Sequence, residues 1–451
     1  MVSLMVAADG MEMTVISLLR SPLKREFGLD DLGFSMLGST VFVGLLAGNL
    51  MGGFLADRFG RRATMLGVAL IFCVFGLLSA FAPNLWIFAV SRFFTGLGVG
   101  SMVPVSDSHL LEWSPSAWRA KLAMTLTGVA FGLGAAFACV VGIVVHTYIE
   151  DDTWWRYMLA ICVLPGIISL PTLYFFLPES PHYLIVHNRG EECAELMRKL
   201  AECNKVDGGA LCGGKVAKIA EDSDDDWNPL HILGPQLRST TLYCTVAWVV
   251  CGFVYYGHIF IYPVLLEDVY GMEIKEAYST VLISTGVEVT VVIVAMFVMD
   301  VEGVGRRGAM ALGFLLCWFC ASLAPLSQNL PEFIAFNSCI KGIIEGPFTL
   351  IYIFAGELYP TTHRGTAVAF CNSFGRVAAI AAPPTLMAAK EQSTMAVFML
   401  IAVFAFAGLL ASANFTRETL GKPLLAFVSE VEEGETSLLN PGDRQRQIAA
   451  P

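Results

Sequence analysis

The sequence predicts an all-α membrane protein, with twelve transmembrane helices arranged in two six-helix bundles. Hydrophobic residues make up 55% of the 451 residues, charged residues make up 15%, and the mean hydropathy is +0.64. These values are too apolar for the surface of a soluble globule of this length. About twelve stretches contain the roughly 20 apolar residues that a helix needs to cross a bilayer. They are centred near Met13, Gly44, Ala69, Gly98, Ala130, Val163, Val254, Val289, Leu315, Gly346, Val377 and Val403.

An internal repeat divides these stretches into six and six. The motifs that return are Gly-Arg-Arg, at 60–62 and 305–307, and Glu-x-x-Pro-x-x-x-Arg, at 112–119 and 357–364. Both return after 245 positions (305 − 60 and 357 − 112), which indicates a duplicated unit. A parallel repeat of this length in a hydrophobic chain is typical of a two-bundle transporter.

The predicted domains follow from this division. We expect a first bundle at 1–177, a cytoplasmic linker at 178–238, a second bundle at 239–414 and a cytoplasmic tail at 415–451. The short loops rich in Arg and Lys all follow even-numbered stretches, so these loops and both termini are expected in the cytoplasm. Much of the net charge of −11 lies in two acidic runs, 221–226 and 430–435, which are typical of solvated segments.

Neither a cofactor nor a metal site is expected. Most of the twelve cysteines lie in apolar stretches or in the predicted cytoplasmic linker, so a disulfide framework is not predicted. Cys317 and Cys320 have C-x-x-C spacing, but no other soft ligand is near, and we interpret them as packing residues. No catalytic pairing or nucleotide-binding motif stands out, and neither an enzyme nor a nucleic-acid partner is expected.

Several motifs resemble the major facilitator superfamily. Residues 53–62 (Gly-Phe-Leu-Ala-Asp-Arg-Phe-Gly-Arg-Arg) resemble the family's loop between helices 2 and 3, and Arg92 with Gly96, Gly98 and Gly100 resembles its fourth helix. Residues 178–181 (Pro-Glu-Ser-Pro) resemble the sugar-porter sequence after helix 6, and 417–421 resembles its counterpart after helix 12. The resemblance spans nearly the whole chain and implies the major facilitator fold.

The narrower resemblance is to the synaptic-vesicle-type and related organic-ion branches. It rests on residues 8–13, on Tyr255 to Gly257 and on residues 375–377. The pair Asp9 and Glu12 also resembles the D-x-x-D or D-x-x-E pair of aromatic-acid:proton symporters. Residues 248–263 lack the paired glutamines of hexose porters, which argues against a sugar substrate. A second departure is Asn337, which stands 245 positions after Arg92, so that the pairing of the first half is absent from the second.

The repeated charges predict a gate. Asp57 at a helix end can pair with basic residues across the cytoplasmic gate, and such pairs must break when the site opens inward. The alternative is that these charges only fix the topology. The gate set comprises Asp57, Arg58, Gly60, Arg61, Arg62, Arg92, Glu112 and Arg119 in the first half, and Glu302, Arg306, Arg307, Glu357 and Arg364 in the second.

Charges in the middle of spans are the candidates for the transport site, because an ionised side chain there costs roughly 3 kcal/mol or more and usually faces a cavity. Asp9 and Glu12 share one face of the first helix, where carboxyl groups resist ionisation, and this suits proton coupling. A structural role in hydrogen bonding is the alternative for this pair. Glu288 is a third coupling candidate. Asp107 and Glu345, which lie near Pro104 and Pro347, are candidate substrate contacts, and Pro347 predicts a broken helix that exposes backbone carbonyls.

Arg376 is interpreted as the only strongly basic residue in the middle of a span in the second half. A guanidinium can hold a carboxylate or phosphate with two hydrogen bonds, so Arg376 predicts an anion-binding contact. An internal ion pair with Glu288 or Glu345 is the alternative. Tyr255 and Tyr256 provide amphipathic ring surface for a central cavity, and Tyr256 is the preferred contact.

These features favour a proton-coupled symporter of a small organic ion that works as a monomer by alternating access. A facilitative uniporter and a non-transporting membrane sensor or vesicle protein of the same fold are the alternatives. The predicted partners are a small organic substrate, protons and the lipid bilayer of the plasma membrane or an endomembrane.

Overall fold

The computed structural model describes residues 2–114, 119–149, 151–205, 232–359, 364–415 and 417–420. In these residues the regular structure is entirely helical. The first bundle contains α1 (Val2–Leu18), α2 (Arg20–Phe27), α3 (Asp31–Phe59), α4 (Arg61–Ala80), α5 (Leu85–Trp113), α6 (Arg119–Met124), a π-helical turn (Thr125–Val129), α7 (Ala130–Tyr148) and α8 (Trp154–Phe176).

Two short helices follow the first bundle, α9 (Pro181–Val186) and α10 (Gly190–Cys203). The second bundle contains α11 (Arg238–Asp268), α12 (Ile274–Val298), α13 (Gly305–Leu323), a 3₁₀ turn (Ala324–Leu326), α14 (Leu330–Leu358), α15 (Arg364–Gln392) and α16 (Thr394–Ala413). Both predicted acidic runs, 221–226 and 430–435, lie outside the described residues.

The lengths of these helices agree with the predicted twelve spans. In the part of the chain that the structure describes, ten helical segments are long and apolar enough to cross a membrane, and α1 with α2 makes an eleventh that bends by 59°. The twelfth is α15, which has 29 residues and is less apolar because it carries Arg376, Lys390 and Glu391. The chain therefore has the all-α, two-bundle architecture that the sequence predicts.

The internal duplication is also seen in how two equivalent helices begin at one end of the molecule. The Asn84 side chain accepts a hydrogen bond from the backbone N–H of Ile87 at the start of α5 (2.9 Å). Asn329, 245 positions later, accepts one from Glu332 at the start of α14 (3.0 Å). Each asparagine satisfies a backbone donor that has no partner within its helix. The equivalent helices of the two bundles therefore begin in the same way.

Glycines bring helices close together around the molecular centre. A Cβ atom at Gly10 of α1 would collide with the backbone carbonyl of Phe131 on α7, and one at Gly252 of α11 would collide with that of Gly375 on α15. Only glycine permits such contact between helix backbones. This packing places Asp9 beside α7 and places Arg376, the residue after Gly375, beside α11.

The two bundles meet along two lateral seams and at the centre. One seam joins α3 to α15, the other joins α7 to α12, and α1 contacts α11 between them. Helices from both bundles therefore surround the centre of the molecule, where polar side chains must face one another or a cavity.

Candidate substrate site and gates

A narrow central cavity lies between the two bundles. First-bundle residues on its wall are Val6, Asp9, Val103, Thr127 and Phe131, and second-bundle residues are Tyr255, Tyr256, Glu345, Phe348, Thr349, Tyr352 and Arg376. Five of the predicted site residues therefore lie together: Asp9, Tyr255, Tyr256, Glu345 and Arg376.

Arg376 is buried in the cavity wall, with 2% of its surface exposed. Its guanidinium donates to the hydroxyl of Tyr256 (2.5 Å) and to that of Tyr352 (3.1 Å). Its Nε has no hydrogen-bond partner, and within the described residues no carboxylate lies within ion-pair distance of it. In this conformation Arg376 therefore does not form the alternative ion pair with Glu288 or Glu345. A guanidinium held only by hydroxyls retains its full charge, which an anion in the cavity could neutralise.

Asp9 and Glu12 lie on one buried side of α1 but have different surroundings. Asp9 is 2% exposed, faces the cavity, and its Oδ1 has no hydrogen-bond partner. Glu12 accepts a hydrogen bond from Arg92 of α5 in a buried ion pair, and Arg92 also donates to Ser79. Asp9 is thus available to the cavity, whereas the charge of Glu12 is neutralised inside its own bundle.

The two remaining acidic candidates for substrate contact differ in position. Glu345 is 4% exposed and lines the cavity, and only its Oε1 is hydrogen-bonded, to Thr349 (3.2 Å). The predicted helix break is wrong, since α14 runs without interruption through Pro347. Asp107 does not line the cavity; it lies one turn along α5 beyond Val103, which does.

Glu288 is not a free acid, because it belongs to a buried network that was not predicted from the sequence. Its Oε2 lies 2.9 Å from the ammonium of Lys341, and its Oε1 accepts a hydrogen bond from the hydroxyl of Tyr255 (2.5 Å). Lys341 also donates to Thr285 (2.6 Å). The interpretation of Arg376 as the only basic residue in the middle of a span of the second half is therefore wrong. Lys341 was visible in the sequence four residues before Glu345.

Asn337 has a polar partner even though the arginine of the first half is absent. The side-chain oxygen of Asn337 is hydrogen-bonded to the imidazole of His258 (3.1 Å), and the side-chain amide of Asn337 donates to the carbonyl of Phe333 (2.8 Å). The second bundle therefore has a neutral hydrogen-bonded pair where the first has the Glu12–Arg92 ion pair.

The repeated gate residues form equivalent ion pairs at one end of the molecule, which we call the basic face and define by Arg61 and Arg306. Arg61 pairs with Glu112 (3.1 Å), and Arg306 pairs with Glu357 (2.9 Å). Both pairs join the start of the third span of a bundle to the end of its fourth. The repeat in the sequence therefore corresponds to a repeat in the structure.

In the second half of this gate the acid that pairs with arginine is Asp300 and not the predicted Glu302. Arg61 pairs with Asp57 (3.2 Å), but Arg306 pairs with Asp300 (3.4 Å), and Glu302 is exposed with no ion pair recorded in the described part of the chain. Asp300 also pairs with Lys121 (3.2 Å) and so links the second bundle to the first. Among the described residues, Lys121–Asp300 thus connects the bundles across the gate, whereas Asp57 pairs within its own bundle.

Two further acids cap the helices at this face. Glu179 accepts hydrogen bonds from the backbone N–H groups of Arg61 (2.9 Å) and Arg62 (3.3 Å) at the start of α4. Glu418 accepts them from Arg306 (2.9 Å) and Arg307 (3.0 Å) at the start of α13. A carboxylate is stabilised at a helix N-terminus by these donors and by the helix dipole. Both acids belong to motifs that the sequence analysis recognised without assigning this role.

The other predicted gate residues have varied positions. Gly60 adopts a positive φ of 95° before α4, and the Arg58 guanidinium lies 5.5 Å from the centroid of the Phe59 ring. Arg92 is not brought together with the gate, since its partners are Glu12 and Ser79. Arg364 is half-buried at the start of α15, and the side chain of Arg119 lies outside the described residues.

A second ion cluster closes the opposite end, which we call the Arg20 face. Arg20 is 6% exposed, and it binds Asp31 of the first bundle (2.7 Å) and Asp268 of the second (2.8 Å). Lys24 also pairs with Asp31, and Lys390 pairs with Asp268. These charges flank predicted spans, and no pattern in the sequence indicates that they meet. The Arg20 face is therefore sealed by ion pairs between the bundles.

Comparison with known proteins identifies the family. The model for the Major Facilitator Superfamily matches residues 2–383. The chain belongs to this superfamily. Its resemblance to the family is thereby confirmed, and the chain is a multi-pass membrane transporter and not an enzyme.

Two relatives of the chain cover most of its length. It is 28% identical to Synaptic vesicle 2-related protein of Xenopus laevis, over 92% of this chain and 77% of that protein. It is 27% identical to Organic cation/carnitine transporter 7 of Arabidopsis thaliana, over 94% of this chain and 92% of that protein.

The fold is also that of a solved transporter. The inward open structure of the xylose transporter XylE from E. coli is 21% identical and superposes with a TM-score of 0.74, over 96% of this chain and 98% of that one. A further structure of the same protein, described as a proton:xylose symporter, also gives a TM-score of 0.74. The two-bundle architecture is thus that of a known secondary transporter.

Proposed function

We propose that this protein is a proton-coupled symporter of a small organic anion, which it carries through the central cavity by alternating access. The observation that carries the proposal is the state of Arg376. Its guanidinium lines the cavity, is 2% exposed and contacts two tyrosine hydroxyls instead of a carboxylate. Because no carboxylate pairs directly with this buried charge, a carboxylate substrate is a suitable partner for it.

The charges around the cavity supply the coupling. Asp9 and Glu345 are the acids that line it among the described residues, whereas Glu12 and Glu288 are neutralised by Arg92 and Lys341. In the empty cavity one ionised carboxylate balances Arg376, and when an anion binds, a proton on Asp9 restores that balance. This arrangement predicts one proton carried for each monoanion, without net charge movement. Other ionisable side chains around Asp9 are Tyr255 and Tyr256 on α11, Tyr352 on α14 and Glu12 on α1.

The names of the relatives support transport of an organic ion and coupling to protons. One relative is named for organic cations and carnitine, and the solved transporter is described as a proton symporter. For this chain, Arg376 argues for an anion in place of the cation. The gates support alternating access: ion pairs join the bundles at the Arg20 face and Lys121–Asp300 joins them at the basic face, and each set must break when its side opens.

The proposal includes an orientation. The basic face is taken as cytoplasmic, since its loops carry Arg and Lys, and both termini then lie in the cytoplasm. The protein is taken to work as a monomer in the plasma membrane or in an endomembrane. The relation to synaptic vesicle proteins favours an endomembrane.

The test is uptake into proteoliposomes of radiolabelled organic acids, amines, nucleosides and sugars, with and without an inward proton gradient. We expect accumulation of an organic acid that depends on the gradient and does not respond to membrane potential. Asp9→Asn is expected to abolish accumulation yet retain exchange of substrate across the membrane, and Arg376→Lys is expected to raise the KM for the acid. Glu391→Gln changes an exposed acid that does not line the cavity and serves as the control.

The other outcomes separate the alternatives. Equilibration of substrate without any effect of the gradient would make the protein a uniporter. Accumulation of amines alone would contradict the assignment of an anion. If correctly folded protein transports none of the classes, the reading as a sensor or vesicle protein takes its place.

A further inference from the structure

We infer that Lys341, Glu288 and Tyr255 form a positioning triad, which turns the Tyr255 ring into an apolar wall of the cavity and selects anions with an apolar, ring-shaped body. The triad acts on substrate through Tyr255, and Glu288 is an anchor instead of a proton carrier. This inference rests on the proposed function, because it names the class of substrate for the same cavity.

The geometry of the triad leaves none of its polar groups for the substrate. The Tyr255 hydroxyl donates to Glu288 Oε1 (2.5 Å), and Lys341 Nζ lies 2.9 Å from Glu288 Oε2. Lys341 also donates to Thr285 Oγ1 (2.6 Å). Glu288 is 0% exposed and Lys341 is 2% exposed. Neither of them lines the cavity, whereas Tyr255 does.

The charges explain why this network is held in place. A carboxylate and an ammonium buried together are stable only when they pair closely and their remaining hydrogen-bonding atoms find partners. Here the lysine neutralises the glutamate, and the tyrosine hydroxyl satisfies the other carboxylate oxygen. Loss of the lysine would leave Glu288 charged and unpaired, so the triad is expected to fail as a unit.

The triad gives the lining of the cavity an aromatic part beside a charged part. With its hydroxyl occupied, Tyr255 presents its ring, which lies 5.9 Å from the Phe131 ring and 5.4 Å from the Phe348 ring, measured between centroids. Arg376 and Asp9 provide the charged part of the same wall. Aromatic rings favour a flat apolar body in contact with them. The matching substrate is a carboxylate attached to a ring, as in benzoate, and not a polyhydroxylated acid such as gluconate.

The triad also lies where the two bundles contact each other. Phe131 belongs to the first bundle and Tyr255 to the second, so their contact crosses between the bundles. A Cβ atom added to Gly132 of α7 would touch the Val289 side chain and come within 4.0 Å of the Glu288 carboxyl carbon. Glu288 thus lies at the seam of α7 and α12, where a shift of one bundle relative to the other would displace Tyr255 through its hydrogen bond to Glu288.

The experiment compares benzoate with gluconate in two readouts. The first is thermal stabilisation of the purified, full-length protein in detergent, and the second is initial uptake into proteoliposomes with and without an inward proton gradient. Wild type is expected to be stabilised by benzoate but not by gluconate. Tyr255→Phe keeps the ring but removes its hydrogen bond to Glu288, so its KM for benzoate should rise about tenfold, as in the anchor variants. Tyr255→Leu should raise the KM at least tenfold.

The role of Glu288 and Lys341 as the anchor of Tyr255 is tested by removing their charges. Glu288→Gln and Lys341→Met should each raise the KM for benzoate about tenfold, while accumulation driven by the proton gradient persists at saturating benzoate. The double variant, which leaves no unpaired charge, should recover most of the lost affinity. Gel filtration of each variant verifies the fold, and Tyr255→Phe keeps the test valid if a single charge variant does not fold.

Three results would overturn the inference. The first is loss of gradient-driven accumulation in Glu288→Gln with exchange retained. The second is a KM in Tyr255→Phe that stays within about threefold of wild type. The third is a wild-type protein that gluconate stabilises as well as benzoate does, or that neither compound stabilises. Failure of the proposed function is seen separately, as absence of gradient-driven uptake of any compound. The stabilisation readout then still decides whether the cavity selects ring-bearing anions.

Discussion

Arg92 and Glu12 form an ion pair inside the first bundle, with 0% and 2% of their side chains exposed. The position equivalent to Arg92 in the second bundle is Asn337, which is hydrogen-bonded to His258. The second bundle instead carries its buried ion pair between Lys341 and Glu288. The two halves thus share a helix arrangement and differ in where each one buries charge.

The Glu12–Arg92 pair is predicted to stabilise the first bundle and to have no part in coupling. Glu12→Gln leaves Arg92 buried without a counter-ion, which costs about 3–5 kcal/mol. We expect a clear fall in the apparent midpoint of thermal unfolding in detergent. The double variant Glu12→Gln with Arg92→Gln should recover part of it, since no buried charge then remains. A Glu12→Gln protein that is as stable as wild type but does not accumulate substrate would instead identify Glu12 as a coupling acid.

The gate pairs show what the sequence could predict. Arg61–Glu112 and Arg306–Glu357 follow from the shared offset, because equivalent positions in duplicated bundles occupy equivalent places. Asp300 could not be found in this way: it lies in a turn whose geometry differs from that around Asp57, and so the offset pointed to Glu302.

The direction in which a buried side chain points also could not be predicted from the sequence. Asp9 and Glu12 are three residues apart on α1, and helical periodicity places both on one side. Which of them faces the cavity depends on the neighbours of α1, since this helix is apolar nearly all around and gives no preferred face. The location of the Arg20 cluster likewise depends on how the two bundles meet.

Arg20 is predicted to hold the Arg20 face closed. Arg20→Gln removes charge-assisted hydrogen bonds that join Asp31 of the first bundle to Asp268 of the second, and a net loss of about 1.5 kcal/mol corresponds to about a tenfold increase in opening. Hydrogen–deuterium exchange should therefore rise in peptides that cover 20–39 and 260–268.

Arg25 provides the matched control for Arg20. It lies on the same helix, and its pair with Asp152 is exposed (72% and 84%) and stays within the first bundle. Exposed pairs contribute little, so Arg25→Gln should leave exchange unchanged. Equal exchange in the Arg20 and Arg25 variants would show that the cluster does not lock this face.

Asp300 is predicted to be the working acid of the second-half gate. Asp300→Asn breaks the link to Lys121 across the bundles as well as the pair with Arg306. Both Asp300 and Lys121 are about one-third exposed, so the expected cost is at most about 1 kcal/mol, or a few-fold faster opening of the basic face, and the difference should shrink in high salt. Exchange of peptides over 119–129 and 298–305 measures it. Glu302→Gln is the control, and a larger effect there than at Asp300 would restore the assignment made from the sequence.

Glu179 and Glu418 are predicted to make equal contributions to their two bundles. Each carboxylate accepts hydrogen bonds from the first backbone N–H groups of a span, and loss of such a cap costs about 0.5–2 kcal/mol. Glu179→Ala and Glu418→Ala should therefore lower the apparent unfolding midpoint by similar amounts. Because the two sites lie in different bundles and share no partner, the double variant should show the sum of the single effects to within about 0.5 kcal/mol.

The control for the two caps is Glu195→Ala, which removes an exposed glutamate paired with Lys199 on α10. It should leave the midpoint unchanged, because a pair in solvent contributes little. If Glu418→Ala behaves like this control while Glu179→Ala destabilises, the two halves do not share the cap despite the equivalent hydrogen bonds. Equal losses would show that the duplication preserves the energetics of the gate as well as its geometry.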